Sequence, residues 1–442
     1  VTSMTGAGPG REPARPGPAA RLVEAVVPAR MGTGFRWLVS ASWTSNIGDG
    51  VALAAGPLLV ASQTDSAFLV ALAAMLQRLP WLVFGLWAGV LADRLDRRRL
   101  VVVANLLRTA VVAALCVVIV TGHVSIGVVL GAMLLMGVAE VFADTTSQTL
   151  LPMLVRPADL GMGNARLQAG FLTANQLVGP PLGAFLFAAG MAWPFVVQVL
   201  CVVLAVLLVS RIVLPAPTRG AGRGGDADGR RRRHARQEVA EGLRWLWNHP
   251  PVRTLALVIL VFNATWAAPW GILVAYSLDH LHMGEVGFGL LTTSAALGGL
   301  VGTVVYGRLE RRFSLATLMK ACLSLEVLFH LALALAPAGW AAMATLFVFG
   351  LYGFVWGTVS NTVRQRAVPE RFQGRVASVY MMGLFGGIVV GNALGGVLAE
   401  HWGLTAPMWF GFVGAGLTLV LVWPQLAHIA HTEAIGPDDA AG

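Results

Sequence analysis

The chain has 442 residues, 56% of them hydrophobic and 12% charged, with a mean hydropathy of +0.72 and a formal net charge of +9. A soluble domain carries about 25% charged residues, so these totals exclude a water-soluble globular protein and point to a chain dissolved in a lipid bilayer. The positive charge does not indicate nucleic acid, because all of the 31 Lys and Arg except Arg78, Arg108 and Lys320 fall in alternate gaps between apolar stretches.

Residues 1–35, rich in Pro, Gly, Ala and Arg, read as a disordered cytoplasmic tail with no apolar core of a secretory signal. A bilayer-crossing helix needs about 20 apolar residues. The stretches 36–61, 67–92, 99–121, 126–151, 164–190 and 192–213 meet that requirement and form an N-terminal six-helix bundle over 36–213. Residues 214–252 read as a cytoplasmic Arg/Gly-rich linker that includes "GAGRGGDADGRRRRHARQE". It closes on a short amphipathic surface helix whose apolar side is Leu243, Trp245, Leu246 and Trp247. The stretches 253–278, 287–306, 315–336, 339–362, 375–400 and 404–427 give a C-terminal six-helix bundle over 253–427, followed by a cytoplasmic tail, 428–442. Basic residues confined to alternate gaps place both termini inside and require an even number of spans. The expected fold is thus an all-α membrane protein of 12 transmembrane helices.

Charge at the bilayer centre costs about 2.5–3.5 kcal/mol on the insertion scale, so ionisable residues inside the spans call for an explanation. Asp49 in the first span has Asn46 on the same helix face, and Arg78 lies at similar depth in the second. Asp49 and Arg78 form either a structural pair or, with Asp49 as carrier, a proton-coupling site. The turn "GVLADRLDRRRL" packs six charged residues into positions 93–99. Arg108 in the third span is a further counter-ion. Glu140, Asp144 and Gln148 make one stripe on the fourth span at i, i+4, i+8. Two carboxylates one turn apart repel when both are ionised, which favours a retained proton. Glu326 and His330, also i, i+4, read as a structural polar pair in the ninth span. Cys116, Cys201 and Cys322 all fall inside spans and give no disulfide framework. No metal-spaced His/Cys cluster, phosphate-cradling loop ending in Lys-Ser or Lys-Thr, or G-x-S-x-G elbow occurs, so ATP drive and hydrolytic chemistry are unsupported and the protein is not expected to be an enzyme.

The two halves repeat one another. At a shift of 214, Gly85, Leu86, Val90, Arg94, Leu95, Arg97 and Arg98 fall on identical residues of "GLVGTVVYGRLERR", and Asp49 falls on Asn263. At a shift of 212, "VGPPLGA" (178–184) falls on "VGNALGG" (390–396). Internal duplication with a mid-membrane site between the repeats is a common plan for secondary transporters.

Twelve spans, a central cytoplasmic loop and the turn after the second span resemble the major facilitator superfamily. That family's motif is met by Gly89, Asp93, Arg94, Arg97 and Arg98, with Asp96 where Gly is usual. The resemblance implies two pseudo-symmetric six-helix halves and makes the motif a conformational latch; the alternative is a topology signal alone. Gly179, Pro180 and Gly183 resemble the helix 5 motif of antiporters, with Asn175 and Ala184 in place of Gly. The usual helix 4 arginine of multidrug antiporters is missing. "LLPMLVRPADLGMGNARLQ" is similar to the branch of enterobactin-exporter-like and macrolide-efflux-like drug/proton antiporters. In that family helix 4 lines the central cavity, which makes Glu140 and Asp144 proton-coupling candidates, with Asp144 alternatively a partner of the motif arginine. Substrate-cavity candidates are Asn46 on helix 1, Gln168, Asn175 and Gln176 on helix 5, and Asn263 and Trp266 on helix 7. Tyr352 and Trp356 on helix 10 and Asn392 on helix 11 complete the set.

The resemblance implies a proton-coupled exporter of an amphipathic small molecule, such as an antibiotic, in the cell membrane. Protons and lipid would be its other partners, the proton gradient its energy source without a cofactor, and a monomer its state. The alternatives are a dedicated siderophore or secondary-metabolite exporter, and a non-transporting membrane sensor or scaffold that uses the Arg-rich loop as its partner surface.

Overall fold

The structure, a computed structural model, describes residues 29–213, 241 and 243–426. The two tails and most of the Arg/Gly-rich linker lie outside the described residues.

Twelve helical spans follow in chain order. The N-terminal half has α1 (Gly32–Ala61), α2 (Ala67–Arg94), α3 (Arg97–Val120) and α4 (Ile126–Gln148). Its α5 is composite, running through Leu160–Gly170, Phe171–Val178 and Gly179–Ala189, and α6 is Trp193–Ser210. The C-terminal half has α7 (Pro250–Gly271), α8 (Gly284–Arg312), α9 (Leu315–Ala334), α10 (Gly339–Ala367), α11 (Glu370–Trp402) and α12 (Ala406–Val422). Among the described residues nine helices are individually long and apolar enough to cross a membrane. The other three spans are α1, with its polar face, the interrupted α5, and the 17-residue α12. The protein is therefore an all-α, multi-pass membrane protein.

Two spans expected as uninterrupted helices are broken. Phe171–Val178 within α5 is π-helical. Just before it, the Trp43 indole donates to the Arg166 carbonyl at 3.1 Å. A side chain that takes a carbonyl out of the helical ladder widens the turn locally. α7 contains Pro269 and stops at Gly271, and its continuation Tyr276–His280 is again π-helical.

The turn between α2 and α3 is only Leu95 and Asp96. Asp96 is the N-cap of α3, accepting from the Arg99 amide at 2.9 Å. This gives a local reason for an acid where the family motif usually has Gly.

Helix pairs in both halves close on the same glycine positions. A Cβ on Gly179 would overlap Gly50 of α1, and one on Gly183 would overlap the Val51 carbonyl. In the C-terminal half, Gly391 stands against Ala264 of α7 and Gly395 against Ala268. The Gly179–Gly50 contact maps onto Gly391–Ala264 at the shifts that relate the two sequences, while Gly395 meets α7 about one helical turn beyond the counterpart of Val51. The duplication is therefore one of packing: α5 lies on α1 as α11 lies on α7. Small residues permit such backbone approach, which drives helix association in lipid.

The halves meet at the end remote from the arginines. Glu400 of α11 accepts from the Ser66 hydroxyl and the Phe68 amide, both at 3.1 Å, so it reaches the first turn of α2. Below it Gly396 packs on Ala71, and Gly289 of α8 packs on Ala184 and Pro180 of α5. Deeper, Trp81 of α2 stacks on Phe385 of α11 with ring centroids 5.4 Å apart. Toward the arginine-bearing end, a Cβ added at Gly85, Gly89, Gly353, Gly357, Gly383 or Gly386 would meet nothing within 4 Å. Among the described residues, the halves meet at the Ser66–Glu400 end, and these glycines toward the arginine end stand in open space.

Candidate functional site

A cavity of about 240 Å³ lies within the N-terminal half, lined from α1 through α6. It gathers all five intramembrane charges of that half: Asp49, Arg78, Arg108, Glu140 and Asp144. The sequence supplies the reason. All five lie within long, largely apolar helices, and grouping them inside is the arrangement that keeps charge out of lipid.

Asp49 is paired with Arg108, not with Arg78 as the matching depths in the sequence suggested. The Arg108 guanidinium donates to both Asp49 oxygens, one of these bonds spanning 3.3 Å, and Ser45 adds a third donor at 3.2 Å. Arg108 is 4% exposed and Asp49 23%, so the pair is buried on its cationic side and open to the cavity on the other. Helix α3 packs on α4 and α6, and from there Arg108 reaches across the cavity to Asp49. Asp144 lies within electrostatic reach of Glu140, Arg108 and Arg78. Arg108 thus stands between two acids, bonded to one and attracted by the other. Glu140, Asp144 and Arg78 themselves make no hydrogen bond or ion pair among the described residues.

Of the cavity candidates, Asn46, Asn175 and Gln176 line this space. Asn46 donates back to Ser42, and Gln176 donates to the Asn175 side-chain oxygen Oδ1 at 2.6 Å. Gln168 is exposed on α5 outside it. The C-terminal candidates do not join them. Asn263 donates to its own helix at Ile259, and Trp266 stacks with Trp270 and Phe349. Tyr352 is buried and donates to Glu326, and Asn392 is buried where α11 meets Gly271 of α7. Trp356 is half-buried on α10. The cavity described here belongs to the N-terminal half, and in the C-terminal half Trp266, Trp270 and Phe349 stack on one another.

Sequence reasoning missed Gln198. It is fully buried on α6, lines the cavity, and neither its amide nitrogen nor its oxygen has a partner among the described residues. The signal was present: Gln198 is the one side-chain amide in the apolar run of α6. Gly179, Pro180 and Gly183 form the buried seam on α1 described above. In the arginine turn, Gly89 stands in open space, Arg97 reaches the Met153 sulfur at 3.3 Å, and Arg98 donates to the Ser210 carbonyl. The Asp93 and Arg94 side chains lie outside the described residues. The Arg98 contact lies within the N-terminal half. In the surface helix Leu246 is buried and Trp245 stacks on Phe372 at the start of α11, whereas Leu243 and Trp247 are exposed.

Residues 24–438 match the family described as transmembrane secretion effector. The chain is 29% identical over 400 residues to the multidrug efflux pump Tap of Mycolicibacterium fortuitum, covering 87% of this chain and 93% of that protein. It is 26% identical over 408 residues to the enterobactin exporter EntS of Escherichia coli, covering 90% and 94%. Among solved structures, a bacterial homologue of the iron transporter ferroportin in an inward-facing state shares the fold, with a TM-score of 0.70 at 17% identity over 90% of this chain and 98% of that one. The chain belongs to the transmembrane secretion effector family, a branch of the major facilitator transporters, and is not an enzyme.

Proposed function

We propose that this member of the transmembrane secretion effector family is a proton-driven exporter of amphipathic small molecules, working as a monomer in the cytoplasmic membrane with both termini inside. The observation that carries the reading is Arg108 bonded to Asp49 and within electrostatic reach of Asp144 in a cavity of about 240 Å³. In a low-dielectric site such a pair is strong while both members are charged and is undone when one is neutralised. A proton arriving on Asp49 releases Arg108, which then turns to the α4 acids. That exchanges an α1–α3 tie for an α3–α4 tie and gives the N-terminal half two discrete arrangements. Glu140 shares the α4 stripe with Asp144 and takes or gives the accompanying proton.

The arginine-bearing end, open here, is the cytoplasmic face under the positive-inside rule. The open form therefore takes up substrate from the cytoplasm. Similarity to a pump whose name says multidrug efflux supports a broad substrate range; similarity to an enterobactin exporter supports one dedicated natural product.

The test is uphill efflux from proteoliposomes under an imposed pH gradient, across a panel of dyes, antibiotics and siderophores. Asp49→Asn and Glu140→Gln are expected to abolish uphill movement. Wild-type rates in both variants would refute the proton assignment, and movement of one panel member alone would favour the dedicated exporter.

A further inference from the structure

The C-terminal half holds a second ionisable group, apart from the cavity. Glu326 and His330 lie one turn apart on α9, and both are buried, at 8% and 0% exposure. Glu326 Oε2 accepts from the Tyr352 hydroxyl of α10 at 2.8 Å. Its Oε1 stands 3.4 Å from His330 Nε2. α12 closes the remaining side, where a Cβ on Gly411 would overlap the imidazole.

Among the described residues, the surrounding elements bring no fixed cation to this carboxyl. α12 carries no titratable side chain at all. α10 brings Tyr352, and its Arg364 and Arg366 stand in its last turn, at the opposite end of the helix. α8 keeps Glu285 in its first turn and Tyr306, Arg308, Glu310, Arg311 and Arg312 in its last two turns. The extension of α7 brings Tyr276, whose hydroxyl donates to Leu333, and His280 stacked on it. On α9 itself, Cys322 is one turn away and the Lys320 ammonium sits over the Trp423 ring at 4.9 Å.

A buried carboxylate without a cation either keeps its proton or shares it with an adjoining base. Here the base is His330. A carboxyl beside a neutral imidazole and a carboxylate beside an imidazolium are both uncharged overall and hold one proton between them. Gain of a second proton, or loss of the first, leaves net charge in the bundle. Both imidazole nitrogens lack a hydrogen-bond partner among the described residues. An imidazole with a purely architectural role is ordinarily tied through its ring nitrogens. His330 is also four residues from the outer end of α9, about 6 Å along a helix axis.

We propose that Glu326 and His330 are a proton-binding site of the C-terminal half, which exchanges its proton with the end of the bundle closed by Ser66 and Glu400. The site is independent of the Asp49 chamber; only its use in the transport cycle rests on the exporter reading. Tyr352 positions the carboxyl and is not a carrier.

Infrared difference spectroscopy of the full chain in lipid nanodiscs, between acid and alkaline buffer, reads the site without a substrate. The wild type is expected to show a carboxylic C=O band that comes and goes with pH. The band is lost in Glu326→Gln, and in His330→Asn, which leaves the carboxyl in place, it changes at a different pH. A titrating band that survives Glu326→Gln, or a Glu326 band present at every pH, overturns the proposal. In proteoliposomes with ethidium as probe, Glu326→Gln is expected to lower gradient-driven accumulation at least about tenfold while leaving gradient-free equilibration intact. Gln reproduces the neutral acid and its bond to Tyr352, so a merely structural Glu326 predicts no change in either, and that result overturns the coupling role. Wild-type vesicles that move no ethidium count against the exporter reading alone, and the infrared titration still decides the proton site.

Discussion

The Arg108 guanidinium grips both oxygens of Asp49, tying α3 to α1 inside the N-terminal half. Arg108 is the more deeply buried partner. Removing either member leaves the other charge behind, and the cost depends on how far water reaches it.

This asymmetry gives the first prediction. Arg108→Ala leaves a carboxylate that can still take a proton from the cavity, whereas Asp49→Asn leaves a buried guanidinium that cannot lose its charge and has only the α4 acids to turn to. Breaking a buried pair costs about 3–5 kcal/mol when the survivor stays charged. Asp49→Asn is therefore expected to lower thermal stability in detergent more than Arg108→Ala, and the double variant Asp49→Asn with Arg108→Gln should recover much of the loss. Equal stability of all three would remove the ion pair from any role in the fold.

Gln198 behaves in the opposite sense. Its amide has no partner in the wall of the cavity, and an unsatisfied buried polar group costs about 1–3 kcal/mol. Gln198→Leu should leave the melting temperature unchanged or raise it, while shifting the order of preference across the substrate panel. A fall in stability with unaltered preference would make Gln198 a structural residue bonded through water.

The seam between α1 and α5 has no room for a methyl group. Gly183→Ala places its Cβ on the Val51 carbonyl, and overpacking of this kind typically costs about 1–3 kcal/mol. Lower yield of folded protein on size-exclusion chromatography is expected. Gly89→Ala meets nothing within 4 Å in this open form and should fold normally, so a defect in that variant would arise in the other conformation.

Glu400 bridges the halves at the closed end through Ser66 and Phe68. With Glu400→Ala the closed end should open more often. Labelling of a cysteine placed at the buried Ala71, which faces Gly396 across the seam, by a membrane-impermeant maleimide from outside should then rise several-fold. Unchanged labelling would show that helix packing below Glu400 holds the gate.

Much of the architecture was legible from one dimension. Span lengths are set by bilayer thickness and arginine placement by insertion, both local rules, so the all-helical membrane class followed from hydropathy alone. The repeat relating 85–98 to 299–312 and "VGPPLGA" to "VGNALGG" was also legible, and the structure turns it into matching Gly179–Gly50 and Gly391–Ala264 contacts. Asp49, Glu140 and Asp144 could be singled out because charge in an apolar run is costly wherever it occurs.

What stayed hidden depends on which helix faces which. Asp49 pairs with Arg108 because α3, not α2, presents its arginine to α1, and no spacing along the chain encodes that choice. The gathering of Asp49, Arg78, Arg108, Glu140 and Asp144 around one cavity is likewise a matter of packing between helices. The same holds for Glu400, more than 300 residues from Ser66. Sequence fixes the cost of burying each group; only the packed bundle decides which partner meets that cost.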